Sequence, residues 1–235
     1  MFTGIVTAIG TIQRVEQRGD LHVTIACPFD PAGIAIGASI ACAGVCLTVV
    51  DRGALRQAQD PSAGAWFTVD VSAETVARTA RGMWHEGRRI NLEPSLRLGD
   101  EMGGHIVSGH VDAVGRIADW RPEGDSTRLT VRAPAELAPF IAPKGSITVD
   151  GVSLTVNEVA DRADGAVDFG LNVIPHTSEV TTLGELAQGA EVNLEIDTVA
   201  RYLQRLESLR ASQGLPAHAS GNGTRKQCKH EINFR

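Results

Sequence analysis

Several features of membrane, secreted and metal-binding proteins are missing from this sequence of 235 residues. No apolar run approaches the roughly 20 residues that a membrane-spanning helix needs. Residues 1–6 lack the basic segment and apolar core of a signal peptide, so we expect a cytoplasmic protein. The four cysteines, Cys27, Cys42, Cys46 and Cys228, show no CxxC pair and no histidine at ligand spacing. The sequence therefore predicts neither a metal site nor disulfides.

The sequence is also short of positive charge. It has 22 Lys and Arg against 28 Asp and Glu, a net charge of −6, and no basic stripe. A nucleic-acid partner is therefore not expected, because neutralising phosphates needs clustered Lys and Arg. A glycine-rich nucleotide loop is missing as well. The 43% apolar and 21% charged residues are ordinary for a globular protein, and the length fits one large or two small domains.

The chain repeats itself with a period of about a hundred residues, which indicates a domain duplication. The middle block aligns SIACAGVCLTV at residues 39–49 with SITVDGVSLTV at residues 146–156, and seven of eleven positions are identical. Two further blocks begin at Thr3 and Ser108 and at Asp70 and Asn172. The offsets of the three blocks are 105, 107 and 102 residues, as expected when surface loops vary in length.

Within each half, short β-branched segments alternate with turn residues. Examples are residues 21–25 (LHVTI) and 129–132 (LTVR), with turn residues at 51–53 and 164–165. Many short strands at this spacing predict an all-β fold with a closed or nearly closed antiparallel barrel in each half. Short helices are expected at residues 73–80, 135–140 and 177–183.

The segment from residue 198 onward has a different hydrophobic pattern from the rest of the chain. Apolar residues recur at helical spacing, which predicts a helix over residues 198–213 that Asp197 or Thr198 caps and Gly214 ends. The apolar stripe consists of Val199, Tyr202, Leu203, Leu206 and Leu209. Two interpretations stay open: the stripe packs on its own domain, or it associates subunits around an axis. The polar, glycine-rich residues 214–235 are expected to be disordered.

Four motifs in this order resemble the riboflavin synthase family. They are MFTGIV at residues 1–6, GVCLTV at 44–49, GGHIVSGH at 103–110 and DGVSLTV at 150–156. The similarity covers roughly residues 1–207 and lies on the duplicated frame. The resemblance implies two six-stranded Greek-key barrels with a C-terminal helix. The repeat places the boundary between the halves near residues 98–100. The predicted organisation is therefore 1–98 and 99–197 for two lumazine-binding barrels, 198–213 for an oligomerisation helix and 214–235 for the tail.

The family resemblance also implies a reaction. Two molecules of 6,7-dimethyl-8-ribityllumazine give riboflavin and 5-amino-6-ribitylaminouracil when a four-carbon unit passes from one to the other. Each barrel binds one lumazine, and the active site forms between the first barrel of one subunit and the second barrel of its neighbour in a homotrimer. No cofactor is expected, because the electron-poor pteridine ring delocalises the carbanion formed at its 7-methyl group. Lumazine synthase is a candidate partner, and no membrane partner is expected.

Cys46 and Ser153 occupy equivalent positions in the two halves and differ chemically, although the Leu and Thr that follow them are retained. Unequal half-sites suit a reaction in which one lumazine donates and the other accepts. By family resemblance both residues line the pteridine sites. We expect one of them, or a water it positions, to add to ring carbon 7 of the donor. The alternative is that Cys46 is a small buried apolar residue.

The other candidate catalytic residues are His110, Ser39, Thr155 and Asp197. His110 aligns with Ile5 in the first half, and an imidazole titrates near neutrality, so it is suited to moving a proton. By resemblance Ser39 lies at the site; Asp197 either orients a partner across the interface or caps the last helix. His105 is expected to be structural.

The candidate substrate-binding residues form the walls of the two half-sites. We expect backbone at two strand-to-helix corners to pair with the pteridine edge, and glycines to allow close approach. Phe2 stacks on the ring or belongs to the core. Lys144 is expected to neutralise negative charge. The full set is Phe2, Gly4, Ile5, Val6, Leu47, Thr48, Val71, Ser72, Ala73, Glu74, Thr75, Val76, Ser108, Gly109, Lys144, Gly151, Val152, Val173, Ile174, Pro175, His176, Thr177 and Ser178.

Two departures and two alternatives remain. Ala43 aligns with Asp150, where the family commonly has Asn, and His176 stands where some relatives carry an acidic residue. A lumazine protein of the luminous-bacteria type, which binds one lumazine without chemistry, is the first alternative function. A flavin-dependent reductase is the second, but it requires a nucleotide-binding βαβ unit that the sequence lacks.

Overall fold

The chain forms two β-barrel units in tandem, followed by one helix. The structure, a computed structural model, describes residues 1–55 and 64–213. The expectation of a disordered tail at residues 214–235 therefore lies outside the described residues. In the part that is described, no helix has both the length and the apolar content required to cross a bilayer.

The first unit is a closed antiparallel barrel with the strand order β1-β2-β5-β4-β3-β6. This order is the predicted Greek-key arrangement, since β5 inserts between β2 and β4. Its strands are β1 (Ala8–Arg18), β2 (Asp20–Cys27), β3 (Ser39–Cys42), β4 (Val45–Ala54), β5 (Ala65–Val71) and β6 (Arg89–Pro94).

The second unit repeats this order as a curled sheet, β10-β9-β13-β7-β8-β12-β11. Its strands are β7 (Ala113–Glu123), β8 (Ser126–Ala133), β9 (Ser146–Val149), β10 (Val152–Thr155), β11 (Glu158–Asp161), β12 (Val167–Val173) and β13 (Glu191–Ile196).

The second unit has seven strands where six were predicted, because the equivalent of β4 is divided into β10 and β11. The division falls where β4 itself carries a bulge, between its pairings of Val49 and Asp51 with β5. At the equivalent place Val156 N–H donates to Gly145 on one side, and Asn157 N–H donates to Gly170 on the other. The chain thus changes partners at one irregular step in both halves.

Alternation along the strands builds one core in each unit. In β2, Val23, Ile25 and Cys27 are buried while their neighbours are more exposed, as the two-residue period of a strand requires. Phe67 and Phe169 lie at equivalent positions and are fully buried in the first and second core respectively. Each such aromatic side chain contributes roughly 1.5–3 kcal/mol by its burial.

Short helices lie at the corners where they were expected. Helix α1 (Ala73–Arg78) follows β5, and a 3-10 helix spans Ala135–Phe140. Helix α2 (Pro175–Val180) begins two residues earlier than predicted, because a proline is favoured in the first helical turn. A 3-10 turn at Thr182–Glu185 follows it.

Helix α3 (Thr198–Ser212) confirms the predicted terminal helix, and the Asp197 carboxylate accepts a hydrogen bond from Val199 N–H as its N-cap. The side of α3 that faces its own chain is polar: Arg201 forms an ion pair of 2.8 Å with Asp112. The apolar stripe faces outward, so the interpretation that it packs on its own domain is wrong.

The two units exchange short segments. Phe2 and Val107 pair as a backbone bridge, with N–H···O distances of 2.8 and 3.1 Å. Gly4 C=O accepts from Ser153 N–H in the second unit, and Gly109 C=O accepts from Cys46 N–H in the first. Each unit therefore supplies backbone to the other at an equivalent place.

A symmetric contact also joins the two tight turns that precede β4 and β10. A Cβ added to Gly44 would lie 2.9 Å from Gly151 N, and one added to Gly151 would lie 2.7 Å from Gly44 N. Only glycine permits this approach, and both residues have positive φ. The Asn193 side-chain amide donates to Ala43 C=O and the Asn91 amide donates to Asp150 C=O, both at 2.9 Å.

Candidate active site

The ladder between neighbouring strands stops at an equivalent place in each unit. In the first unit the pairing of β4 with β5 ends at Val49 and Val69, so residues 46–48 pair with β3 but not with β5. We call the surface beside this end the first groove and define it by the predicted binding residues 46–48, 71–76 and 108–110. In the second unit β10 has no ladder with β12, and the second groove is defined in the same way by residues 4–6, 153–155 and 173–178.

The side chains of the groove floor alternate between core and surface. In β4, Leu47 is buried in the first core, whereas Cys46 is partly exposed and Thr48 is exposed. In β10, Ser153 is partly exposed and Thr155 is exposed. Ser39 pairs with Thr48 in the strand register, and Ser146 pairs with Thr155. The outward face of each floor thus carries hydroxyls, with a thiol in only one of the two grooves.

Ser153 has a histidine partner. Its Oγ lies 2.7 Å from Nδ1 of His105, and the backbone N–H of His105 donates to Thr3 C=O. Nε2 of His105 is buried without a hydrogen-bond partner among the described residues. Burial lowers the pKa of His105, and the negative charge of Asp197 opposes this shift.

No equivalent partner reaches the first groove. Across residues 1–55 and 64–213, none of the side-chain hydrogen bonds involves the Cys46 thiol, and the Cys46 side chain packs against the buried cluster of Phe2, Ala41 and Val107. The two grooves therefore differ in the environment of the reactive atom as well as in its identity.

The helical walls differ as well. At the first groove Ser72 Oγ caps α1 by accepting a hydrogen bond of 3.2 Å from Thr75 N–H. At the second groove the equivalent residue is Ile174, which is exposed and cannot cap α2, and Pro175 follows it. Glu74 and His176 are exposed at equivalent positions, so the first wall carries an acid where the second carries an imidazole.

Two buried carboxylates hold the exchanged segments. Glu93 accepts hydrogen bonds from Thr3 N–H, Thr3 Oγ1 and Gly4 N–H at 2.7–3.0 Å. Glu195 accepts the equivalent three from Ser108 and Gly109 at 2.7–2.9 Å. Burial raises the pKa of both carboxyl groups, and these hydrogen bonds oppose the shift. The glycines that approach the groove floors are thus fixed by one glutamate each.

Several of the predicted binding residues are not available to a ligand through their side chains: Leu47 and Val71 lie in the first core, and Val173 lies in the second. Phe2 is fully buried with Ala41 and Val107 where the units meet, so the expectation that its ring stacks on substrate is wrong. Gly151 is packed against Gly44, and Val152 belongs to the second core. Gly151 and Val152 belong to a repeated motif, and the sequence alone does not distinguish its ligand-facing residues from those that face the other unit or the core.

Other candidates lie at the surface. His110 is exposed beside Gly109, and Lys144 is exposed with φ 67°, at the position that Gly37 occupies with φ 84° in the first unit. Ser39 also borders a cavity of about 370 Å³ that includes Ile34 and Arg97. A smaller cavity, about 240 Å³, lies against Val71, Ala73 and Val76 beside the first groove.

The twofold repeat is also visible in comparison with known proteins. The family model of the lumazine binding domain matches residues 3–95 and again residues 108–197. Riboflavin synthase of Brucella abortus is 51% identical over 207 residues, covering 88% of this chain and 98% of that protein. The chain belongs to the riboflavin synthase family.

Further relatives in the riboflavin synthase family are less similar but match over the same length. The enzyme of Mycobacterium tuberculosis is 45% identical, covering 88% of this chain and 98% of the relative. Riboflavin synthase of Photobacterium phosphoreum is 40% identical, covering 88% of each chain.

Solved structures of LumP share the fold of this riboflavin synthase family member. LumP complexed with riboflavin superposes with a TM-score of 0.67 at 24% identity, and LumP complexed with 6,7-dimethyl-8-(1'-D-ribityl) lumazine with 0.64 at 23%. Both comparisons cover 83% of this chain and 99% of LumP. At this identity the likeness supports the double-barrel fold alone.

Five residues that organise the grooves or the contact between the units were missed as candidates in the sequence. They are Asn91, Glu93, His105, Asn193 and Glu195. The repeated Asn-Leu-Glu of β6 and β13 was visible as identical residues in the two halves. Asn and Glu seldom occupy a strand core without a specific partner, so their repetition was the available signal.

Proposed function

We propose that this riboflavin synthase family member converts two molecules of 6,7-dimethyl-8-ribityllumazine into riboflavin and 5-amino-6-ribitylaminouracil. The observation that carries the proposal is the pair of equivalent grooves with unequal floors, Cys46 in one and Ser153 in the other. Two related grooves suit two copies of one heterocycle, and their chemical difference suits the unequal roles of donor and acceptor. Family membership, with 51% identity to one riboflavin synthase, supports the same reaction.

The grooves contribute mainly by positioning. Two lumazines held face to face react as one bound unit, and effective molarities for such steps reach about 10⁵ M or more. Backbone groups of residues 71–76 and 173–178 bind the pyrimidine edges, because neither stretch is fully paired in a ladder. Gly4 and Gly109 provide close walls. Thr48 and Thr155 supply hydroxyls on the exposed floor.

The chemical step needs a nucleophile and proton transfers. Cys46, Ser153 or a water held by either adds to ring carbon 7 of the lumazine that loses four carbons. His110 is exposed beside Gly109 and is free to move the 7-methyl proton of the other lumazine.

Lys144 stabilises the negative charge that develops on the pteridine. Its left-handed backbone supports this role, because a non-glycine residue there costs on the order of 1–2 kcal/mol relative to an ordinary conformation.

The active site is proposed to be completed in a homotrimer, by the first groove of one subunit and the second groove of its neighbour. The outward stripe of α3 supports assembly, since its five apolar residues are between 38% and 66% exposed in the single chain. Burying that stripe against a second copy removes apolar area from water. Lumazine synthase as a partner and a cytoplasmic location stay predictions.

The test is a turnover assay with lumazine as the only addition. Purified protein should accumulate riboflavin absorbance, with 5-amino-6-ribitylaminouracil formed in equal amount. Binding with a spectral shift but without riboflavin would favour the non-catalytic, LumP-like alternative. A native mass measurement on the same sample should give three times the chain mass of 24.9 kDa.

A further inference from the structure

The contact between His105 and Ser153 distinguishes the second groove from the first. Nδ1 and Oγ are 2.7 Å apart, which is the separation expected for a hydroxyl and its base. A base of this kind makes an alkoxide-like oxygen available without solvent. Cys46, the equivalent residue, has no such partner among the described residues.

His105 is fixed by its surroundings. The backbone N–H of His105 donates to Thr3 C=O, and Thr3 itself donates hydrogen bonds to Glu93. The preceding Gly104 lies so close that an added Cβ would overlap the Thr3 carbonyl oxygen and reach within 3.1 Å of Ser153 Oγ. Glycine is therefore required for the histidine to approach the serine.

The far nitrogen of the ring has no partner that would explain a purely structural role. Nε2 is buried and has no hydrogen-bond partner among the described residues, and leaving a buried polar atom without a hydrogen bond costs about 1–3 kcal/mol. A structural histidine would normally satisfy both nitrogens. Asp197, at the start of α3, is the acidic group whose charge reaches this ring.

We infer that His105 is a positioning residue that orients Ser153 and takes up its proton, so that Ser153 is the nucleophile and the second groove holds the lumazine that loses its four-carbon unit. This inference rests on the proposed function. In the step assigned, Oγ of Ser153 forms a bond to ring carbon 7, and the hydroxyl proton passes to Nδ1. The electron pair displaced at carbon 7 moves through the conjugated ring onto the pyrimidinedione, which gives an anionic adduct and an imidazolium.

The pH dependence follows from the same contact. His105 must be neutral to accept the proton, and burial disfavours the imidazolium, so its pKa is lowered. The acid limb of kcat/KM should therefore lie below the ordinary range of histidine. The other acids near this contact are Asp197, and Glu93 across the Thr3–Gly4 segment. Only the limb that disappears in a His105 variant belongs to the imidazole.

The experiment compares His105→Ala, His105→Asn and Ser153→Ala with the wild type in the lumazine assay. Each should lower kcat by about 10²-fold or more while KM changes by less than about threefold. The double variant His105→Ala/Ser153→Ala should be no slower than Ser153→Ala, because the two residues act as one unit. Added imidazole should partly restore His105→Ala, and His105→Asn should lack the acid limb. His85→Asn, an exposed histidine outside both grooves, serves as the matched control and should keep wild-type kcat.

The outcomes separate the two proposals. A wild-type protein that makes no riboflavin overturns the proposed function. If the wild-type protein makes riboflavin and either His105→Asn or Ser153→Ala keeps an undiminished kcat, only the assignment of the pair is overturned. Multiplicative losses in the double variant do the same. Ser153→Ala removes a single oxygen atom, so it keeps the inference testable if a histidine variant fails to fold.

Discussion

Asp150 should make the protein less stable at neutral pH than its asparagine variant. The carboxyl group is buried at the contact between the two units, where Oδ1 accepts a hydrogen bond of 2.7 Å from Asn193 N–H. Burial raises the pKa of Asp150 from 3.8 to about 6; the hydrogen bond from Asn193 and the charge of Arg88 oppose the shift. The variant Asp150→Asn keeps the acceptor oxygen and removes the charge that burial penalises.

The magnitude and its sign follow from linkage. A group whose pKa is raised on folding stabilises the protein fully below the unfolded pKa, here 3.8, and that contribution is lost as the pH rises through about 6. One pKa unit corresponds to about 1.4 kcal/mol, so the penalty at pH 8 is roughly 3 kcal/mol. At pH 5 it is about half of that. Asp150→Asn should therefore be more stable than the wild type by up to roughly 3 kcal/mol at pH 8, with a smaller gain at pH 5.

Urea unfolding at pH 5 and pH 8 measures this difference, at one fixed protein concentration because assembly contributes to stability. Asp161→Asn, at an exposed position on β11, is the matched control and should change the free energy of unfolding by no more than about 0.5 kcal/mol at either pH. If the gain for Asp150→Asn were the same at both pH values, or if the variant were less stable at pH 8, the reasoning from burial would be refuted.

Three further changes have definite expected results. Ala43→Asn should stabilise the chain by about 1 kcal/mol in the same urea assay, because Asn tolerates the left-handed φ of 46° and would repeat the hydrogen bond that Asp150 makes; a loss of stability would contradict the symmetry of the two turns. Cys46→Ala tests the alternative nucleophile: with Ser153 as the nucleophile it should lower kcat by less than about tenfold and leave the lumazine Kd, measured by fluorescence, within about threefold; a loss of about 10²-fold or more would assign the nucleophile to Cys46. Leu206→Glu should reduce the native mass from trimer to monomer without unfolding the barrels, whereas Ser208→Glu should not, since a charge on the outward apolar stripe opposes burial.

The sequence predicted the fold well because local patterns and the repeat both reported on it. Alternation in segments such as residues 21–25 fixed which side of a strand is buried, and the seven identities between residues 39–49 and 146–156 indicated that the halves fold alike. The division of one strand into β10 and β11 was not predictable. It depends on where a bulge moves backbone hydrogen bonds from one neighbour to another, and no residue type marks that step.

The site was predicted only in part. The patterns identified the groove floors, including Cys46 and Ser153, but placed Phe2 at the ligand because an aromatic ring serves a core and a stacking site equally well. His105 was interpreted as structural because a contact between residues 48 positions apart leaves no local trace. Glu93 and Glu195 were overlooked although they repeat, since a glutamate in a strand suggests an exposed position unless its partners are known.

The exchange of segments explains how two similar barrels came to have unequal grooves. The wall of the second groove at Gly4 is fixed by Glu93 of the first unit, and the wall of the first groove at Gly109 is fixed by Glu195 of the second. Each groove therefore depends on hydrogen bonds from both units, and a substitution in one barrel alters the site in the other. Because neither groove is complete within one barrel, the two barrels form one functional unit. A change such as thiol for hydroxyl then differentiates the two reactants without changing the shared frame.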